Sequence, residues 1–346
     1  MRTTLLAAVA ATVTLLAACG DDEPDAVPAT TAAPVAPSDA GATASSAPEV
    51  ADSDPGTTAA TDTTTAGTAD AGTATAPGSA PSDGEAPRAI VSLSPVHTEI
   101  LFAIGAGDQV IAVDDQSDYP PEALEVGTDL SGFEPNIEAI ASYEPDLVVA
   151  SSDTVRDQLE ALGIEVWVGP AAATLDDAYD QIEQLGALTG HIGEAAEVVG
   201  GMQTDIAAIV EDMPALDEPL TVYHELGPEL YSADSTTFIG QVYGQLGLEN
   251  IADRAEGDHG GYPQLSAEVI ISADPDLIFL ADTECCGESA ETVADRDGWD
   301  EIAAVADGQV FEMSDDIASR WGPRIVEYYQ QVADAVSDVA GVPAGG

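Results

Sequence analysis

Apolar residues recur every three or four positions between residues 191 and 213. This spacing predicts one helix of about six turns with a continuous apolar face. Acidic residues occupy its first turns, where they suit the positive end of the helix dipole, and Pro214 follows its end. Gly200 and Gly201 lie inside it, and each costs about 1 kcal/mol relative to alanine. We therefore expect another element to approach the helix closely at these glycines.

Two similar segments flank this helix and lie 130 residues apart. Residues 138–150 and 268–280 share, in the same register, a glutamate, an isoleucine, a serine, an acid-Pro-Asp-Leu turn and an apolar run. Each segment predicts a short helix, a turn and a buried parallel strand. The simplest architecture is α/β, with two Rossmann-like lobes that have central parallel sheets and are joined by a single long α-helix. One large doubly wound sheet is the alternative, and it explains the repeat less well.

This architecture divides the folded part of the chain into three. We expect an N-terminal α/β lobe at residues 88–190, the bridging helix at 191–213, and a C-terminal α/β lobe with a terminal helix at 214–346.

The first 19 residues predict a targeting signal. Arg2 precedes an apolar core at residues 5–16 that is too short to span a membrane permanently. The following Leu-Ala-Ala-Cys19 resembles the lipobox of bacterial lipoproteins. The resemblance implies a diacylated Cys19, which would anchor the protein to the outer face of the cytoplasmic membrane. Ordinary secretion with a free Cys19 is the alternative.

Residues 20–87 consist largely of Ala, Thr, Ser, Pro, Gly and Asp, with twelve acids and no base. Such a segment buries too little apolar surface to offset its chain entropy, so it predicts a disordered acidic tether. As a flexible coil it would span roughly 40–50 Å root mean square.

Charge excludes several classes of function. The chain has 64 acids against seven arginines and no lysine, which leaves a net charge of −46 on the folded part. Nucleic-acid binding and direct binding to anionic lipid both need a basic surface, so this acidic chain is not expected to do either. The acidic excess suits a solvated surface in a salty exterior, and we assign it no binding role.

The run from Val91 to Pro121 carries the first family resemblance. An apolar strand at residues 88–93 is followed by Ser-Pro-Val-His-Thr-Glu, a helix over residues 100–104, a strand at 110–113 and then Ser-Asp-Tyr-Pro-Pro. This run resembles the periplasmic substrate-binding proteins that feed iron-chelate and cobalamin ABC importers, with the cobalamin-binding members nearest. The similarity continues to Arg324 and the last helix.

The resemblance implies a function as well as a fold. We expect an extracytoplasmic, monomeric solute-binding lipoprotein that captures a corrinoid between its lobes and delivers it to an ABC permease driven by a separate ATPase. A ferric siderophore or haem is the alternative ligand. We expect no enzymatic activity, because the sequence has no phosphate-binding loop and no Gly-x-Ser-x-Gly elbow, and no cofactor of its own.

Five residues match ligand-binding positions of the family. Tyr119, Tyr231 and Tyr262 match aromatics that lie against the ligand, and Asp316 and Arg320 match residues that hydrogen-bond its amide groups. Three aromatics with one acid–base pair suit a large, flat, amide-fringed ligand. Each tyrosine taken singly also fits a half-buried core position.

Other positions depart from the family pattern or extend it. Phe133 lies where the cobalamin-binding members have a tryptophan, and His97 is expected to donate a hydrogen bond at the cleft floor. Cys285 and Cys286 are adjacent, so they form a vicinal disulfide or remain free thiols. They follow a predicted strand at residues 277–280, so we expect them near the cleft.

Glu138 and Glu268 occupy equivalent places in the two repeats. In the family, these glutamates dock onto arginines of the permease, one in each lobe, and exposed ion pairs of this kind set orientation more than affinity. A purely structural reading makes them first-turn acids of helices capped by Asn136 and Ser266.

Three histidines raise a different class of function. His97, His224 and His259 fall near predicted loop ends and would bind a transition metal if they converged. Their spacing matches no ligand motif, so we predict no metal site and keep direct metal capture as the weakest alternative.

Overall fold

The computed structural model describes residues 86–216 and 218–341. The predicted signal peptide, the lipidated Cys19 and the tether up to residue 85 lie outside these residues. Among the helices described, none has the length and apolar character needed to cross a membrane.

Within the described residues, nine strands form two sheets in which every pairing of strands is parallel. In chain order they are β1 Ile90–Leu93, β2 Val110–Asp114, β3 Gly127–Leu130, β4 Leu147–Ala150, β5 Glu165–Val168, β6 Thr221–Glu225, β7 Glu249–Asn250, β8 Leu277–Leu280 and β9 Val310–Glu312. The N-terminal sheet has the order β3-β2-β1-β4-β5 and the C-terminal sheet the order β7-β6-β8-β9. The predicted fold class of two parallel-sheet α/β lobes is confirmed.

Twelve α-helices in the described part of the chain connect and cover these strands. They are α1 Pro95–Ala103, α2 Ile137–Ser142, α3 Arg156–Glu160, α4 Leu175–Thr189, α5 Ile192–Glu211, α6 Phe238–Gln245, α7 Ala267–Ala273, α8 Thr283–Cys286, α9 Ala290–Ala294, α10 Ala303–Ala306, α11 Asp315–Ser319 and α12 Ile325–Val339. The helix α1 begins five residues before the start predicted from the sequence, because Pro95 at its first position needs no hydrogen bond there.

The 130-residue repeat reappears as matched structure. Helix α2 and strand β4 in the first lobe correspond to α7 and β8 in the second. The acids before the two prolines, Glu144 and Asp274, both have positive φ, 52° and 48°. Left-handed backbone is uncommon for residues other than glycine, so its presence at both positions marks the same turn built twice.

An aspartate after each of these prolines fixes the neighbouring strand. Asp146 accepts hydrogen bonds from the backbone N–H groups of Arg88 (2.9 Å) and Ala89 (3.1 Å), just before β1. Asp276 accepts from the backbone N–H of Thr221 (2.7 Å), at the start of β6. Each Pro-Asp turn therefore ties its strand to the strand beside it.

The long helix predicted at residues 191–213 is α5, Ile192–Glu211. The expectation of close approach at Gly200 and Gly201 is wrong, because a Cβ added at either glycine would meet nothing within 4 Å. The close approach occurs at Gly186 of α4 instead, where an added Cβ would collide with the Cβ of Ala195 in α5. The seam between α4 and α5 therefore depends on a glycine that the periodicity did not single out.

Successive residues of the strands face two different cores. In β4 and β8 alternate residues pack into one apolar cluster that also includes α4, α5 and α12 and therefore extends through both lobes. The other residues of each strand pack into a cluster that belongs to one lobe only. The two lobes consequently share an interior and also have a core each.

Candidate functional site

A network of charged side chains joins the two lobes beside the loop that follows β2. Arg320, in the segment between α11 and α12, is 9% exposed and forms an ion pair with Asp316. It also donates to the carboxylates of Glu99 (2.7 Å) and Asp118 (3.1 Å). The predicted acid–base pair therefore lies at the junction of the lobes.

Glu99 is the anion at the centre of this network. Its side chain, on α1, is 2% exposed and accepts hydrogen bonds from both Arg320 and Arg324. The Arg324 fork is bidentate, with Nε 2.9 Å from Oε2 and Nη2 2.5 Å from Oε1. Charge-assisted, bidentate bonds are the strong class of hydrogen bond. A buried carboxylate of the first lobe is thus neutralised by two arginines of the second.

Tyr119 lies on top of this network. The guanidinium of Arg324 stacks 4.1 Å from the centroid of its ring, and the side chain remains 40% exposed. The following peptide bond, to Pro120, is cis. One ring face is therefore fixed by a cation while part of the ring stays open to solvent.

The carboxyl group of Asp316 has a raised pKa. Burial raises its pKa to about 6, Arg320 opposes the rise, and the carboxylate of Asp118 adds to it. Near neutral pH, the group therefore changes between acceptor and donor more readily than an exposed aspartate does.

Tyr231 and Tyr262 form a second pair, on the rim of the C-terminal lobe. They are 45% and 47% exposed. Their loops are tied by an antiparallel bridge between Tyr231 and Gln264 and by a hydrogen bond from the N–H of Ser232 to the carbonyl of Pro263 (2.9 Å). The structure therefore brings Tyr119, Asp316 and Arg320 into one group and these two tyrosines into another.

Phe133 and the two glutamates of the repeat, Glu138 and Glu268, are exposed to solvent. Phe133 is 86% exposed, in the loop between β3 and α2. Glu138 and Glu268 are exposed in the first turns of α2 and α7. The predicted caps are present, since Asn136 and Ser266 accept from backbone N–H groups of those helices at 3.0 and 3.3 Å.

His97 does not have the placement that its predicted role needs. It is fully buried, with Nδ1 2.8 Å from the hydroxyl of Ser94 and Nε2 2.9 Å from the amide oxygen of Gln181. Burial lowers its pKa to about 4. Trp321 also donates to the Gln181 oxygen (3.3 Å). His97 therefore contributes to the buried hydrogen bonds at the lobe junction and has no exposed surface with which to bind a ligand.

The other histidines lie apart from it. His224 is buried in the C-terminal lobe, with Nδ1 2.7 Å from the hydroxyl of Tyr243, and His259 bonds to the backbone carbonyl of Glu256 (2.6 Å) in an exposed loop. The three histidines of the metal-capture alternative therefore do not converge. Over residues 86–216 and 218–341, no cluster of three or more histidine, cysteine or acidic side chains is arranged to hold a metal.

Cys285 and Cys286 are joined by a disulfide, the first of the two states that the sequence allowed. They are exposed, in α8 just beyond the carboxyl end of β8. The carboxylate of Asp315 holds this turn by accepting from the backbone N–H groups of Thr283 (2.9 Å) and Cys285 (2.8 Å). The disulfide thus lies beside the helix that carries Asp316.

A cavity of about 1050 Å³ lies on the flank of the lobe junction, between α1, α5 and α12. Tyr119 lines it, and so do Glu99 and Arg324, but none of the other six predicted ligand residues does. Much of its remaining lining comes from the middle of α5 and from the amino end of β2, whereas α/β folds bind ligands at the carboxyl ends of their strands, so we do not identify it with the predicted ligand cleft.

Sequence reasoning missed Glu99 and Arg324. The signal that could have found them is scarcity. The folded part has only six arginines, and two of them, Arg320 and Arg324, lie four residues apart in one short segment. Their partner could not be identified in the same way, because Glu99 is one of 52 acids in that part of the chain.

Comparison with known proteins agrees with this architecture. A family profile described as "Periplasmic binding protein" matches residues 90–317. Over 261 residues the chain is 32% identical to an uncharacterized ABC transporter substrate-binding lipoprotein, YvrC, of Bacillus subtilis, covering 72% of this chain and 80% of that protein. It is also 32% identical to a cobalamin-binding protein of Halobacterium salinarum, covering 72% of this chain and 69% of that one.

A solved structure has the same fold. The crystal structure of a possible iron-binding, periplasmic solute-binding protein from Staphylococcus epidermidis superposes with a TM-score of 0.64 at 26% identity, covering 73% of this chain and 99% of that one. The profile match, the identities and the shared architecture lead to one conclusion: the chain belongs to the periplasmic binding protein family.

Proposed function

We propose that this chain, the substrate-binding protein of an ABC importer, captures a corrinoid between its two lobes and presents it to the permease. The observation that carries the proposal is the Tyr119 ring, half open and fixed by Arg324, directly beside the Asp118–Arg320–Asp316 group. An aromatic face supplies apolar contact area, and the adjoining charged groups supply hydrogen bonds that orient amide substituents. A cobalamin-binding relative with 32% identity supports the same ligand class.

Tyr231 and Tyr262 would complete the site from the opposite lobe. Each presents close to half of its side chain to solvent on paired loops. Phe133, exposed at the edge of the first lobe, would add a fourth apolar contact. A large flat ligand lying between these rims would bury apolar area against both lobes, which is the main source of affinity in such sites.

The direct test is equilibrium dialysis of purified protein against cobalamin, with bound corrinoid measured by absorbance. We expect saturable binding of one ligand per chain at micromolar concentration or below. Tyr119→Ala should weaken binding at least tenfold, because it removes the aromatic ring that Arg324 holds in place. Tyr143→Ala, at an exposed tyrosine that ends α2, is the matched control and should bind as the wild type does.

A ferric siderophore or haem is the second candidate, supported by the similarity to a possible iron-binding protein. Parallel dialysis against a ferric hydroxamate and against haem separates the two. Binding of either iron compound without binding of cobalamin would replace the corrinoid proposal and leave the transport role in place.

Docking onto the permease would use Glu138 and Glu268. Both are exposed at equivalent positions of the two lobes, and Glu268 borders a hollow of about 280 Å³ that also includes Arg254 and Val269. Glu138→Ala with Glu268→Ala should leave ligand binding unchanged and lower uptake by cells that carry the importer. Glu183→Ala, an exposed acid on α4, is the control. Undiminished uptake in the double variant would contradict the docking role.

The protein would reach its permease through a lipid anchor at Cys19. The supporting observation is the Leu-Ala-Ala-Cys sequence, together with the lipoprotein of Bacillus subtilis at 32% identity. Cys19→Ser should move the protein from the membrane fraction to the medium or periplasm. Retention of the variant in the membrane fraction would contradict acylation at this residue.

A further inference from the structure

Glu99 combines deep burial with partners that come from the other lobe. Its side chain is 2% exposed, and the two arginines that bind it lie 221 and 225 residues further along the chain. An ionised carboxylate this far from water is costly unless cations and hydrogen bonds compensate it. Both of its oxygens are satisfied by guanidinium groups. The side chain therefore requires Arg320 and Arg324 to occupy these positions.

The contacts of Arg320 differ in how readily they can be exchanged. The bond to Glu99 (2.7 Å) is buried, whereas the bond to Asp118 (3.1 Å) goes to a side chain that is 57% exposed. The bond to the backbone carbonyl of Gln116 is long, at 3.3 Å. A ligand group that approaches from solvent can therefore replace Asp118 or the carbonyl while Glu99 keeps its bond.

Arg324 transmits the same constraint to Tyr119. Its Nε and Nη2 atoms are fixed by Glu99, and the flat face of the same guanidinium lies 4.1 Å from the tyrosine ring. Since the guanidinium is planar, fixing its edge also fixes the plane on which the ring stacks. One carboxylate thus controls the orientation of a hydrogen-bond donor and of an aromatic surface.

We propose that Glu99 is the positioning residue of the ligand site: it holds Arg320 and Arg324 from beneath, across the lobe junction, so that a carbonyl oxygen of the ligand displaces Asp118 from Arg320. Glu99 itself does not touch the ligand. The inference rests on the proposed function and adds to it the residue that sets the site's geometry and the internal competitor, Asp118, that the ligand replaces.

Two variants should change affinity in opposite directions. Glu99→Gln keeps the shape of the side chain but removes the charge, so cobalamin binding should weaken at least tenfold in protein that remains folded by circular dichroism. Asp118→Asn removes the competing anion, so binding should tighten a few-fold. Glu122→Gln, an exposed glutamate near Tyr119, is the matched control and should leave affinity within twofold of the wild type.

A merely structural role for Glu99 would not produce a dependence on Arg320. In a double-mutant cycle, Glu99→Gln combined with Arg320→Gln should lose less affinity than the product of the two single losses, because part of the effect of the glutamate passes through that arginine. Multiplicative losses in the double variant, or weaker binding by Asp118→Asn, would overturn the proposal. Should Glu99→Gln fail to fold, Asp118→Asn still decides the direction of the effect.

Hydrogen–deuterium exchange of the ligand-free protein separates this proposal from the choice of ligand. Residues 115–121 and 313–324 should exchange faster in Glu99→Gln than in the wild type and at the wild-type rate in Glu122→Gln. If the wild type binds no corrinoid, siderophore or haem, the ligand assignment fails while faster exchange still supports the positioning role. Unchanged exchange in Glu99→Gln would refute that role whatever the ligand is.

Discussion

Two buried glutamates, Glu99 and Glu225, are held by arginines in similar ways, yet they tie together different parts of the molecule. Glu99 lies in the first lobe and binds arginines of the second. Glu225 ends β6 and is bound at 2.8 and 2.6 Å by Arg296, which belongs to the same lobe. Arg296 also bonds to Glu288 (2.7 Å) and lies 4.5 Å from the ring centre of Trp299.

The difference teaches that the same local chemistry serves two purposes. In the C-terminal lobe, the ion pairs connect a strand to the loop and helix beside it, so their loss should lower stability without changing the relation of the lobes. At the lobe junction, the ion pairs connect surfaces that would bind ligand, so their loss should change binding as well. The following predictions test this division, from the largest expected effect to the smallest.

Glu225→Gln should have the largest effect on folding. It removes the buried carboxylate that Arg296 binds and leaves Glu288 as its remaining carboxylate partner, so the loss should be at most the roughly 3–5 kcal/mol that a buried charge without any partner costs. Urea unfolding followed by circular dichroism measures the loss. The folded fraction should retain wild-type ligand affinity, and a loss of affinity would contradict the separation between the two clusters.

Asp282→Asn should make stability less dependent on pH. Asp282 is buried beside Glu225, and burial, followed by the charges of Glu225 and Glu288, raises its pKa from 3.8 to about 7. Because the folded state holds this proton more tightly than the unfolded chain does, the group destabilises the fold progressively as pH rises from about 4 to about 7. The variant should therefore be more stable than the wild type at pH 8, by about 2–4 kcal/mol, with the gain disappearing near pH 4.

Unfolding at a series of pH values gives this result directly. Asp300→Asn, at an exposed acid near the same helices, is the control and should show no such pH-dependent gain. A gain for Asp282→Asn that is equal at pH 4 and pH 8 would refute an ionisation effect.

Glu99 and Arg324 should be coupled across the lobe junction. A cycle of Glu99→Gln, Arg324→Gln and the double variant should give a coupling free energy of unfolding of about 1–3 kcal/mol, because each partner is left buried without the other. Urea unfolding of the four proteins measures it. A coupling near zero would mean that the contact contributes nothing to joining the lobes.

Glu160→Gln should have the smallest effect. Its ion pair with Arg156 is exposed and spans one turn of α3, at 3.4 Å. Pairs of this kind contribute about 0.5 kcal/mol or less, so the midpoint of urea unfolding should scarcely move. A loss comparable to that of Glu225→Gln would show that burial does not decide the energetics of these pairs.

Much of the fold could be predicted because its signals are local and repeated. The acid-Pro-Asp-Leu turn occurs twice in the same register, and β8 has the bounds that the apolar run predicted. The long helix follows directly from its periodicity. Such patterns depend on neighbours within a few residues, which a single sequence contains in full.

The site was less accessible to this reasoning for two physical reasons. Burial of Glu99 depends on arginines more than 200 residues away, and local periodicity carries no trace of that contact. His97 was expected at the cleft because it follows a strand, but the chain there packs it against Trp167, with ring centres 5.1 Å apart. Position in a loop therefore predicted the neighbourhood of these side chains but not their exposure.

The apolar cluster that extends through both lobes has a consequence for any attempt to divide the molecule. A fragment that ended after α5 would leave the inner residues of that cluster facing water, and the complementary fragment would do the same. Neither half is expected to remain soluble by itself, and denaturation should proceed as a single cooperative transition. A partner that opens the cleft to release the solute must therefore deform one continuous body, because the two lobes cannot move independently of each other.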